Sequence, residues 1–112
     1  MGRVIEQKTI IVFSDENGNE PYKTWFENLR DKKGKARIES RLKRLEEGHY
    51  GDCAPVGEGV LELRMFFGAG YRVYFGDDEG NIVVLLSGGD KDSQKRDIKT
   101  AKEYWKEYKN ND

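Results

Sequence analysis

Arg64, Arg72, Lys91 and Gln94 have the side-chain types and the spacing to act on a phosphate group. A phosphodiester under attack concentrates negative charge, and guanidinium and ammonium groups stabilise that charge through short, charge-assisted hydrogen bonds. Arg64 and Arg72 are the only cations between residues 51 and 80, a stretch with six carboxylates: Asp52, Glu58, Glu62, Asp77, Asp78 and Glu79. Lys91 closes the run Gly88-Gly89-Asp90-Lys91 behind an apolar segment, and Gln94 follows three residues later. A glycine-rich turn into a helix directs backbone N–H groups and a lysine at one spot, as phosphate sites do. The plainer reading of the same run is punctuation, with the two glycines making a tight turn and Asp92 and Ser93 capping a helix.

These groups meet only if the elements that carry them are arranged for it. In Gly59-Val-Leu-Glu-Leu-Arg-Met, strand alternation places Leu61, Leu63 and Met65 on one face and Glu62 and Arg64 on the other. In Tyr71-Arg-Val-Tyr-Phe it separates Tyr71, Val73 and Phe75 from Arg72 and Tyr74. Gly68 to Gly70 predicts a hairpin between these strands, and Gly76 to Gly80 leads into Ile82 to Ser87, which is apolar on both faces and so belongs inside the sheet. Upstream, Val4 to Phe13 reads as a first strand. Pro21 then opens a helix with Tyr22, Trp25, Phe26 and Leu29 on one stripe, and Gly34 separates it from a second helix striped by Ile38, Leu42 and Leu45. Residues 48–59, with four glycines and a proline, read as a loop. From Asp92 or Ser93 a last helix runs through Ile98, Ala101, Trp105 and Tyr108.

The predicted order is β-α-α-β-β-β-α: one α+β domain over residues 1–112, with a mostly antiparallel sheet, two N-terminal helices on one face and a C-terminal helix. With those two helices over Leu61, Leu63, Val73 and Phe75, the opposite face receives Glu62, Arg64, Arg72 and Tyr74. There Lys91 joins the arginines, and the Tyr74 ring can stack on a base. A structural alternative stands beside this, in which Arg64 and Arg72 pair with Glu62 and with Asp97 or Glu103. Trp25, Trp105 and Tyr108 lie on helix stripes and read as core.

Net charge is −1, yet residues 30–47 hold eight basic groups against four acidic ones. No apolar run is long enough to cross a bilayer, and Glu6, Gln7 and Lys8 interrupt any signal-peptide core, so a cytoplasmic protein is expected. A single cysteine, Cys53, and a single histidine, His49, leave no internal disulfide and no matched ligand set, so no metal or cofactor is expected.

The runs GVLELRMFFGAGYRVYF, IVVLLSGGDK and DSQKRDIKTAKEYW together resemble the RelE/ParE toxin superfamily, in particular its HigB-like addiction module killer branch of type II toxin–antitoxin systems. The likeness covers roughly the C-terminal half of the chain; the first fifty residues match in element order alone. It implies a small curved sheet, a cognate antitoxin as partner, and, in RelE-like members, cleavage of mRNA inside the ribosome by attack of a 2′-hydroxyl on the adjacent phosphate. Arg72 then corresponds to the family's phosphate-stabilising arginine, Arg64 to a basic strand position and Lys91 to the basic residue after the last strand, with Gln94 orienting the same group. Lys35, Arg37, Arg41 and Arg44 on the second helix would contact ribosomal RNA. Glu62 stands where RelE itself carries a lysine, and Asp97 stands at or near the place of its catalytic tyrosine. ParE-like relatives share the fold but inhibit DNA gyrase without cutting anything, so gyrase is the alternative partner, and a domain that only binds an antitoxin is a third reading.

Overall fold

The computed structural model describes residues 7–111. Its elements are β1 (Thr9–Val12), α1 (Pro21–Asn28), α2 (Lys32–Glu46), β2 (Cys53–Gly57), β3 (Val60–Arg64), β4 (Arg72–Asp78), β5 (Ile82–Gly89) and α3 (Gln94–Asn110). The strands form one sheet in the order β1-β5-β4-β3-β2. β2 to β5 are an antiparallel meander, and β1 joins β5 in parallel, so the fold is α+β with a mostly antiparallel sheet as expected. Val4 to Glu6 of the expected first strand lie outside the described residues.

Two boundaries differ from expectation. The segment read as a loop contains β2, which pairs with β3 across a two-residue turn at Glu58 and Gly59, both in the left-handed region (φ 53° and 85°). That is the backbone of a tight hairpin turn, whose twist matches the strands it joins. Pro55 is tolerated because β2 is an edge strand with one side free of ladder bonds. Gly34 does not divide the two helices; it lies within the first turn of α2. The break falls at Leu29 to Asp31, where the extended Leu29 ends α1 and the Asp31 carboxylate accepts from the Gly34 N–H at 2.9 Å. An aspartate at that position caps a helix strongly enough to set its start.

Each face of the sheet has its own core. Beneath α1 and α2 lie Leu63, Val73, Phe75, Val83 and Leu85, packed against Tyr22, Ile38 and Leu45. On the other face Val60, Tyr74, Val84 and Leu86 meet Ala101 and Trp105 of α3, with Phe13 closing the edge. β5 is buried on both sides, which accounts for its unbroken apolar sequence.

Candidate functional site

Strand alternation brings Glu62 of β3 opposite Tyr74 of β4, and Arg64 opposite Arg72, all on the face covered by α3. The helix starts where β5 ends, and its first residue, Gln94, reaches back to the same place. At the centre is the Glu62 carboxylate, whose residue is 2% exposed. Its Oε2 accepts from Gln94 Nε2 at 2.9 Å and from the Tyr74 hydroxyl at 3.1 Å. Arg64 Nε lies 3.3 Å from Oε1, and Arg72 Nε lies 3.7 Å from Oε2. A buried carboxylate is tolerated only when compensated, and here two hydrogen bonds and two guanidinium charges converge on it, although the buried Nε atoms of Arg64 and Arg72 complete no hydrogen bond.

The two guanidiniums therefore share one carboxylate, which leaves excess positive charge beside the patch. The atom of each nearest to the Glu62 carboxylate is its Nε. Arg72 Nη1 donates to the Gly70 carbonyl at 2.6 Å. The Arg64 side chain is 36% exposed, and its terminal nitrogens have no protein partner among the described residues. Lys91 is exposed and adjoins the hairpin between β3 and β4: a Cβ placed on Gly70 would stand 3.2 Å from both the Lys91 Cβ and Arg72 Nη1. Its backbone N–H donates to the Ala69 carbonyl at 3.3 Å. Thus Arg64, Arg72 and Gln94 meet on one carboxylate, with Lys91 at their margin.

The pairing of both arginines with Glu62 that the structural alternative foresaw is present, whereas Asp97 and Glu103 pair with neither. Asp97 instead accepts from the Ser93 hydroxyl and approaches Arg96. Tyr74 departs most from expectation. It is not on an open cationic surface; its ring is fully buried in the core under α3 and has no face free for a base. Burial, and next the Glu62 charge, push its phenol pKa upward. Alternation assigned Tyr74 its face correctly, but no local signal shows that α3 closes over it.

The two glycines at the end of β5 also have a different role from a tight turn. Both continue the strand, pairing with Val73 and Arg72. A Cβ on Gly88 would overlap the Trp25 ring on one face, and a Cβ on Gly89 would overlap the Asp97 carboxylate on the other. The capping carboxylate of the turn is Asp90, which accepts from the backbone N–H groups of Asp92 and Ser93 at 2.9 and 3.1 Å. Asp92 and Ser93, expected to cap α3, make no side-chain cap to the helix backbone.

Three of the seven basic side chains of α2 contact the fold, while Lys32, Lys33, Lys43 and Arg44 are exposed. Arg41 donates to the carbonyls of Arg64, Tyr50 and Asp52 at 2.7, 3.4 and 3.3 Å, stapling the helix to β3 and to the segment before β2. Lys35 lies over the Phe26 ring at 5.1 Å and Arg37 over Phe67 at 5.0 Å. Arg44 is exposed. His49 is exposed, and the half-buried Cys53 has its thiol pKa raised, chiefly by burial.

Residues 24–106 match the family model described as Phage derived protein Gp49-like (DUF891). The chain is also 46% identical over 81 residues to an uncharacterized protein of Haemophilus influenzae, across 72% of this chain and 82% of that one.

Proposed function

The chain belongs to the phage-derived Gp49-like family of RelE-like, toxin-type proteins, and on that premise we propose that it is the toxin of a type II toxin–antitoxin module. Its activity in this reading is ribosome-dependent cleavage of mRNA in the cytoplasm, which stops translation until a cognate antitoxin binds. The observation that carries the proposal is the Arg64–Arg72 cross-strand pair, paired with buried Glu62 beside Gln94 and Lys91.

In such cleavage the 2′-hydroxyl gives up its proton to water and attacks the neighbouring phosphorus, and the 5′-oxygen leaves and takes a proton from water, so negative charge grows on the phosphate oxygens as the reaction proceeds. Arg72, fixed through Nη1 on the Gly70 carbonyl and by the Glu62 charge, keeps its orientation without reorganising at the moment of reaction, which is how fixed charge lowers a barrier. Arg64 supplies terminal donors, Arg72 adds charge from the opposite strand, and Lys91 reaches from the hairpin margin. Gln94 and Glu62 are positioning residues: Gln94 fixes the Glu62 carboxylate, whose charge holds the arginines, and neither touches substrate. The antitoxin segment that silences this site is expected to bring carboxylates to it along with apolar anchors, folding as it binds.

The test is to induce the chain in a bacterium and map transcript 5′ ends within reading frames. New codon-phased ends are expected during growth arrest. Arg72→Ala is expected to lose on the order of 10²–10³ in cleavage rate per folded molecule, the usual cost of removing one charge-stabilising donor, and to melt below the parent, because the 11%-exposed Arg72 is one of two cations beside the buried Glu62 carboxylate. Growth arrest with DNA breaks and intact translation would overturn the proposal in favour of a gyrase inhibitor.

A further inference from the structure

Helix α3 carries a second concentration of charge that the site does not use. Lys95, Lys99, Lys102, Lys106 and Lys109 recur at intervals of four, three, four and three residues. With 3.6 residues per turn, that spacing places all five on one face over a length of ~21 Å. Lys95, Lys99, Lys106 and Lys109 are exposed, and no carboxylate lies within ion-pair distance of them among the described residues. Lys102 is half-buried against the β2–β3 turn, with its Nζ 3.5 Å from Glu58. Four like charges on one stripe repel one another, and apart from Lys109, whose Nζ lies 5.8 Å over the Trp105 ring, none of them has a side-chain partner in the fold among the described residues. Shallow grooves of about 220 and 250 Å³ flank the stripe, with Glu58 and Glu103 as the acidic groups on their walls.

We propose that this lysine stripe is an RNA-docking rail that holds the phosphate backbone of structured RNA while the arginine pair engages the scissile strand. Two observations favour RNA over an acidic protein segment. The stripe begins one residue after Gln94, which sits on the Glu62 carboxylate, so a backbone seated at the arginines continues directly onto α3. The exposed face of the stripe also offers no large apolar anchor: Trp105 is 5% exposed and belongs to the core. A folding peptide needs such anchors, whereas phosphate binding needs charge alone. The choice of RNA rests on the toxin reading above. The rail adds to α2, where Lys35, Arg37 and Arg41 contact the fold while Lys32, Lys33, Lys43 and Arg44 are exposed.

The experiment measures affinity of the full chain for a fluorescent RNA hairpin across a salt series, beside thermal melting and cleavage on ribosomes. A Lys95→Gln, Lys99→Gln, Lys106→Gln, Lys109→Gln variant is expected to melt like the parent. Its log affinity against log salt should flatten by about three to four units, because each lost phosphate contact removes about 0.9 from the slope on duplex nucleic acid. Arg72→Ala should lose cleavage and keep most of the hairpin affinity. Should the fourfold variant melt early, the paired Lys99→Gln, Lys106→Gln variant is expected to flatten the slope by about half as much. An unchanged slope in a folded variant overturns the rail, even if the parent cleaves mRNA. Loss of binding to a polyglutamate peptide with RNA binding intact also overturns it, and assigns the stripe to a protein partner. A parent that binds the hairpin through the stripe but never cleaves leaves the rail standing and overturns the endonuclease reading alone.

Discussion

The two faces of the sheet are built from the same strands and have opposite characters. Under α1 and α2, Leu63, Val73 and Phe75 contribute hydrocarbon and aromatic surface, and the face functions as a conventional core. Under α3, their immediate neighbours Glu62, Arg64, Arg72 and Tyr74 place a carboxylate, two guanidiniums and a phenol where apolar groups would pack. Apolar burial gives stability without direction. A buried polar cluster is costly to form and fixes the orientation of its members, which suits a site that must present charge in one geometry. Both faces carry a core, but only the α3 face adds a polar cluster to it, and under the proposed function that addition is the site; the contrast can be broken in graded steps.

The largest expected effect comes from the apolar face. Leu63 is fully buried beneath the helices, so Leu63→Ala should cost about 2–5 kcal/mol in chemical denaturation, combining lost transfer energy with the cavity left behind. Under the proposed function, any fall in toxicity should track the loss of folded protein. If Leu63→Ala abolishes activity in a protein that remains fully folded, the division of labour between the faces is wrong.

A smaller loss of stability with a larger loss of function is expected for Glu62→Gln. The substitution keeps the side-chain shape and one acceptor but removes the charge on which both arginines and Gln94 converge. Weakening hydrogen bonds to a charged group costs about 1.5–3 kcal/mol. The arginines would then be free to reorient, so cleavage should fall further than the folded fraction does. A variant that is destabilised and yet cleaves at the parent rate would make Glu62 a structural residue only.

Much of this contrast was legible in the residue pattern, because period-two alternation assigns Glu62, Arg64, Arg72 and Tyr74 to one face whatever lies above them. Arg64 and Arg72 stood out as isolated cations in an acidic stretch, and the structure places them directly opposite each other. What covers a face is a long-range property. The stripe of α3 shows that the helix packs on something, but nothing local says that it closes over Tyr74 and turns an apparent stacking ring into core. The same limit applies to Gly88 and Gly89, whose composition signals a turn. Their role, leaving room for Trp25 and Asp97, depends on contacts more than sixty residues apart in one case and eight in the other. β2 was missed for a different reason: glycine and proline weigh against a strand, and only an edge position with a left-handed turn beside it admits them.

The finest distinction between the faces lies in their tyrosines. Tyr50 donates to Asp77 at 2.9 Å beside the α2 core, and Tyr74 donates to Glu62 at 3.1 Å under α3. Burial first, and then the neighbouring carboxylate, raises both phenol pKa values, that of Tyr50 from 10.0 to about 12. In the unfolded chain a tyrosine ionises near pH 10, so above that pH the unfolded state releases a proton that the folded state retains. The stabilising contribution is therefore complete below about pH 10 and is lost as pH rises toward 12. Tyr50→Phe and Tyr74→Phe should each start slightly less stable at pH 8, by about 0.5–1.5 kcal/mol for the lost hydrogen bond, and then decline less steeply than the parent. Tyr74→Phe should flatten the decline more, because its ring is fully buried while Tyr50 is half-exposed. Lysine titration in the same window acts on all three proteins alike and drops out of the comparison. Melting temperatures taken from pH 8 to 12 decide the matter: three parallel curves would mean that neither face holds its phenol protonated, and a steeper benefit from Tyr50→Phe would reverse the assignment of the more tightly closed face to α3.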